Sequence, residues 1–151
     1  MSPGHVSQEV VTDRLVSIAA MVAGIRRLPL ERETFFADER NAWTAESYLR
    51  RALEGLLDLG RHILAKVFAT AVVDYKSIAR VLGEHQVLTP AEVELLIILA
   101  GYRNRLVHFY HEVEAEEIFT ICSDQLTDVE RIEEAYRRWL REHPEVIDRS
   151  L

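Results

Sequence analysis

Cysteine is almost missing from this sequence. The one present, Cys122, has no partner for an internal disulfide and leaves no cysteine set for zinc. So little cysteine fits a reducing compartment. Glycine and proline are scarce as well, at six and four residues, and few Val, Thr or Ile runs alternate with period two, so little of the chain favours sheet. No apolar run reaches the roughly 18 to 20 residues that span a bilayer. The opening residues MSPGHVSQEV lack a basic region followed by an apolar one, so no signal peptide is expected. Together these absences predict a cytoplasmic protein with no membrane segment. Positive charge is also short. Eighteen Lys and Arg stand against 25 Asp and Glu, a formal net charge of −7. That argues against broad, charge-driven binding of nucleic acid, which needs a basic face. It leaves room for a small basic cleft on an acidic body, or for a basic protein partner.

What is present reads as helix. The 151 residues, 48% hydrophobic and 28% charged, suit a single domain over 1–151, with a core at about 7–142 and a loose tail over 143–151. Val10, Leu15, Ile18, Ala19, Val22 and Ile25 recur at helical spacing and predict a first helix over 7–27, ended by Pro29. A connector over 30–43 holds a short helical turn at 31–37 and is anchored by Phe35, Phe36 and Trp43. A second long helix is expected over 44–66, capped by Thr44. Leu49, Leu53, Leu56, Leu57, Gly60, Ile63 and Leu64 line its inner side. Arg51, Glu54, Asp58 and His62 form an outward charged ladder, of which Asp58 and His62 are the members able to turn toward a cleft. A loop over 69–75 and a short helix over 77–84 follow.

Thr89-Pro90-Ala91-Glu92 has the form of a helix start, with Thr as cap, Pro at the first helical position and Glu three after the cap. The helix it opens carries Leu95 to Ala100, apolar all round. Such a segment belongs at the centre of a bundle or in a subunit interface. Pairing with a second copy would cover it; so would the first, second and last helices. The last helix is predicted over 114–142, closed by Pro144. The expected fold is all-α, an antiparallel bundle of four to five helices.

The end of the helix opened at Pro90 gathers the groups able to do chemistry. On a helical wheel Asn104 and His108 are one-turn neighbours, Arg103 and Tyr110 lie nearly on one line, and Arg105 stands beside His108. Arginine offers a permanent planar fork to phosphate oxygens, and imidazole exchanges protons near neutral pH. RNA brings its own nucleophile, the 2′-hydroxyl, so an Arg and a His suffice to cut it without metal. Spacing alone ranks a plainer reading first, in which these groups cap the helix and pair with Glu112 or Glu114. His108 and His111 lack a third ligand, so no metal site is expected.

Residues 103–110, RNRLVHFY, carry an R-x4-H-x-Y motif and resemble the HepT-like toxins of the HEPN superfamily, whose common form RN-x-x-V-H-x-Y is met at every position. RALEGLLDLGRHILAK at 51–66, DYKSIARVLGEHQVL at 74–88 and LAGYRNRLVH at 99–108 resemble that family in the same order, so the likeness covers roughly residues 12–140. It implies a helical homodimer in which two motifs face one another across a cleft. It also implies a metal-independent endoribonuclease with no cofactor, the toxin of a type VII-like toxin–antitoxin pair. The implied antitoxin is an adjacently encoded, MntA-type minimal nucleotidyltransferase that transfers AMP to the motif tyrosine. Carried over by residue, Arg103 and His108 are catalytic, Asn104 supports them, Tyr110 is the AMP acceptor and Asp58 is auxiliary. The alternative is a HEPN-like dimer that binds a nucleotidyltransferase or nucleotides and cuts nothing.

Overall fold

The computed structural model describes residues 4–108 and 114–150, and it is all-α apart from two short strands. The elements are β1 (Val6–Ser7), α1 (Gln8–Arg26), α2 (Arg32–Ala37), α3 (Arg40–Phe68), α4 (Tyr75–Glu84), α5 (Pro90–His108), α6 (Ala115–Asp124), α7 (Leu126–Glu142) and β2 (Ile147–Asp148). No helix among the described residues is long and apolar enough to cross a membrane. Helix α3 packs against α1, α2, α4, α5, α6 and α7. Its stripe of Leu49, Leu53, Leu56, Leu57, Ile63 and Leu64 is fully buried, as a helix surrounded by others requires.

Several boundaries differ from the sequence reading. Helix α3 begins at Arg40 rather than Thr44, because Asp38 serves its first turn: the carboxylate accepts from the Arg40 N–H at 3.0 Å. It ends at Phe68 and is capped by Ala69, which takes the left-handed conformation (φ 52°) that glycine usually supplies, and the Ala69 N–H returns to the Leu64 carbonyl. The long last helix is two helices. At Gln125 (φ −125°, ψ 10°) the chain leaves helical geometry, and Oε1 of that residue accepts the Tyr102 hydroxyl at 2.5 Å. The break lets α6 lie against α2 and α3 while α7 packs on α1, α3 and α5. The segment after Pro144 is docked, not loose. Val146 is buried, and β2 pairs in parallel with β1 through Val6↔Ile147 and Ser7↔Asp148. Cys122 is buried, its thiol pushed up to about 12 by desolvation.

The start of α5 is as the sequence indicates. The Glu92 N–H donates to Thr89 Oγ1 at 3.2 Å and the Thr89 N–H donates to Glu92 Oε1 at 2.9 Å, a reciprocal capping box. The same carboxylate takes both Arg138 amino groups, at 2.7 and 2.8 Å, tying α5 to α7. Helix α5 is not enclosed all round. Leu96, Leu99 and Ala100 are buried, but Ile98 is 52% exposed and a Cβ placed on Gly101 would meet nothing within 4 Å. The enclosed helix is α3.

Two predictions follow from these contacts. The Arg138 hydrogen bonds, then those of Thr89, hold the Glu92 carboxyl below its ordinary 4.5. A depressed folded-state value stabilises above that ordinary value and is lost as pH falls through the folded one. Glu92→Gln should therefore cost about 1–2 kcal/mol at neutral pH, with the gap closing on acidification below 4.5, read from urea midpoints across pH. The second concerns Gly60, where a Cβ would sit 2.6 Å from the Tyr136 hydroxyl oxygen and 2.8 Å from a Leu82 methyl. Tyr136 is fully buried and donates to the Leu56 carbonyl at 2.8 Å, so it has little room to yield. Gly60→Ala should destabilise by about 1–3 kcal/mol despite alanine's better helix propensity. An unchanged midpoint would show that the α3–α4–α7 junction relaxes.

Candidate functional site

A cleft of about 580 Å³ lies between α3, α5 and α6, lined by Trp43, Glu46, Arg50 and Glu54 from α3, Arg103, Leu106 and Val107 from α5, and Ala115 and Ile118 from α6. The α3 residues recur at three- and four-residue steps, so one stripe of that helix forms the wall. Arg103 is its most constrained charge, with a side chain only 20% exposed. Its Nε lies 3.5 Å from Glu54 Oε1, an ion pair that lacks hydrogen-bond geometry, so that nitrogen is buried without a hydrogen bond. Its Nη1 donates to the Asn104 carboxamide oxygen at 3.4 Å. Its guanidinium carbon stands 4.4 Å from the centre of the Tyr75 ring, within cation–π range.

Tyr75 is the first residue of α4, placed by Asp74, whose carboxylate caps the helix by accepting from the Ser77 N–H at 3.0 Å. The Tyr75 hydroxyl donates to Asp58 Oδ1 at 3.1 Å, and the same oxygen accepts from Arg61 at 3.1 Å. The Arg61 guanidinium also lies against the Tyr75 ring, at 5.0 Å. Burial first, then the Asp58 carboxylate, raise the pKa of the Tyr75 phenol, against the pull of Arg103 and Arg61. Asp58 thus joins the cluster through Tyr75. Asn104 and Arg103 are in contact. His108 is the last residue of α5; its side chain lies outside the described residues, as does Tyr110.

Glu54 and Tyr75 were not among the residues singled out from the sequence. Glu54 stands four residues before Asp58 on the ladder assigned to solvent, so the turn that faces Asp58 inward faces Glu54 inward too. Arg51 alone of the ladder is exposed. His62 lies on another side, where burial first, with Arg14 and Lys66, lowers its pKa. The arginines do pair with acids, Arg103 with Glu54 and Arg105 with Glu117; Glu112 lies outside the described residues. Arg105 turns away to Glu117 at 2.6 Å, tying α5 to α6. Among the described residues no group of three or more His, Cys, Asp or Glu is arranged to hold a metal ion.

A family model described as ribonuclease HepT-like matches residues 18–135. A tRNA nuclease HepT from Aphanizomenon flos-aquae (strain 2012/KM1/D3) is 29% identical over 79 residues, 52% of this chain and 53% of that protein. The match thus spans about half the length of this curated relative. Among solved structures, a tri-AMPylated Shewanella oneidensis HEPN toxin in complex with an MNT antitoxin superposes with a TM-score of 0.78 at 18% identity, covering 87% of this chain and 98% of that one. YutE of Bacillus subtilis, a cytosolic protein of unknown function, has the same TM-score and identity over 93% and 94%. At such identities the structures establish a shared HEPN-like helical fold.

The Tyr75 ring should matter more than its hydroxyl. Tyr75→Phe keeps the face beneath both guanidinium groups and loses the bond to Asp58, about 1 kcal/mol. Tyr75→Leu loses both and should cost about 1–2 kcal/mol more. Equal urea midpoints for the two variants would show that the ring face contributes nothing.

Proposed function

The chain belongs to the HepT-like ribonuclease family, and on that footing we propose that it is the toxin of a toxin–antitoxin pair, an endoribonuclease silenced by AMP transfer. The observation that carries the reading is the half-enclosed Arg103, fixed by Glu54, Asn104 and Tyr75 in the cleft, five residues before the motif histidine. Arg103 takes the phosphate and stabilises charge as it builds on the phosphoryl oxygens. His108 moves the proton, from the 2′-hydroxyl or to the leaving oxygen. The RNA supplies the nucleophile, so neither a metal nor a protein nucleophile is needed. Asn104 orients the guanidinium, and Asp58 acts at one remove by holding Tyr75. As a similar protein is a tRNA nuclease, tRNA is the first substrate class to test.

A second copy completes the site. The open strip of α5 around Ile98 and Gly101 supports pairing through that helix, which would double an otherwise sparse set of one Arg and one His. The partner that silences it is a nucleotidyltransferase, encoded adjacently. The Tyr110 phenol oxygen attacks the α-phosphate of ATP, pyrophosphate leaves, and AMP places negative charge where the RNA phosphate binds. Two observations favour a second reading, a dimer that binds its partner and cuts nothing: Arg103 already has a carboxylate counter-ion, and the chain carries net charge −7.

Expression of the chain alone should arrest growth, and the purified protein should cleave tRNA in chelator. His108→Ala should abolish both while remaining folded and dimeric by light scattering. Continued toxicity of that variant would remove the assigned mechanism; harmless expression of the parent with intact partner binding would favour the second reading. Incubation with the partner and ATP should add AMP units to the intact mass, and Tyr110→Phe should add none.

A further inference from the structure

Trp43 stands where a core aromatic would not. It is 66% exposed, whereas the chain's other tryptophan, Trp139, is 4% exposed. No ring or guanidinium among the described residues stacks on Trp43. Yet its indole lines the same cleft as Arg103. Along the wall from Trp43 to Arg103 charge is balanced: Arg50 lies 3.2 Å from Glu46 and 3.8 Å from Glu54, and Glu54 also faces Arg103. On a body of net charge −7, such a wall offers RNA little ionic attraction. Affinity must come from a contact that negative charge does not oppose. Stacking of an unpaired base on an aromatic face is such a contact, and it is indifferent to base identity.

We propose that Trp43 is the stacking platform for an unpaired base of the RNA, a reading that rests on the ribonuclease function above. Glu54 lies eleven positions along α3 from Trp43, a rise of about 16 Å. The stacked base therefore lies a few nucleotides from the phosphate on Arg103. Trp43 is a binding residue remote from the reacting atoms: it sets affinity for an unpaired flank and takes no part in bond breaking. A protein side chain could also cover an exposed indole, but the guanidinium in the same cleft and the mixed polar wall match a nucleotide chain better.

The test uses the full chain in the His108→Ala background, so that RNA stays intact, with a labelled single-stranded oligouridylate as probe. Tryptophan emission should be quenched saturably on binding, and the quench should vanish in Trp43→Phe. Trp43→Ala should bind roughly 5- to 150-fold more weakly, and Trp43→Phe should recover most of that loss. The dependence of log affinity on log salt should be shallow, a slope of about −0.7 to −1.4, for one or two phosphate contacts on a single strand. In the active chain the Trp43→Ala loss should fall on KM for tRNA and not on kcat. Unchanged RNA affinity in Trp43→Ala overturns the proposal, including the case where self-association or partner binding weakens instead. If the parent cleaves RNA but Trp43→Ala binds normally, only the platform fails. If Trp43-dependent binding persists without cleavage, the platform stands and the nuclease reading fails.

Discussion

The cleft depends on one charge that has been taken mostly out of water. A guanidinium cannot give up its proton, so the surroundings of Arg103 must compensate it in place. Glu54 supplies the opposite charge, Tyr75 the electron-rich face and Asn104 an oxygen. Each comes from a different direction: Glu54 from α3, Tyr75 from the start of α4, Asn104 from α5 itself. The Arg103 site therefore exists only while those three helices hold their mutual positions. Tyr75 is itself fixed from behind, since Asp58 takes its hydroxyl and Arg61 braces both the carboxylate and the ring.

That placement rests on α3. Its leucines are buried, and it packs against every other helix. Gly60 lets the Tyr136 hydroxyl and Leu82 approach the helix backbone, which sets α4 and α7 close to α3. Glu92 closes the first turn of α5 and grips Arg138 of α7 with the same two oxygens. Arg105 then ties the other end of α5 to α6 through Glu117. With both ends of α5 held, the register of Arg103 against Glu54 is set by contacts that lie outside the cleft.

Much of this could be read from the residues, and the failures have physical causes. The capping box at Thr89, the apolar stripe of α3 and the short helix before Asp38 follow from local rules, and local rules are what a sequence states directly. The start of α3 was placed four residues late because its stabilising carboxylate, Asp38, sits outside the usual cap position. The division at Gln125 depends on the Tyr102 hydroxyl, a residue 23 positions away, so no window of neighbouring residues contains it. The charged ladder went to solvent because a helix wheel gives angles but not partners. Asp58 and Glu54 are on one face whether that face meets water or Arg103, and only the packing of α4 and α5 decides between them. The apolar segment of α5 allowed two readings, the centre of the bundle or a subunit interface; α3 takes the centre, and Ile98 remains open.

The pairing of Arg103 with Glu54 bears on how an anion could ever bind there. A carboxylate that only touches Nε, without hydrogen-bond geometry, leaves the two terminal nitrogens of the fork for an incoming group, apart from one long contact to Asn104. Those terminal nitrogens are the ones that engage phosphate side by side. Glu54 thus compensates the charge from the inner edge of the guanidinium while the outer edge stays available. It holds Arg103 in position and opposes an incoming phosphate only through space, where partial solvent access weakens the repulsion. A stronger, two-pronged Glu54 pair would have stabilised the resting protein more and occupied the fork. The geometry of this ion pair, loose at the inner nitrogen and absent at the outer two, is the arrangement that leaves a half-buried arginine both tolerable and usable.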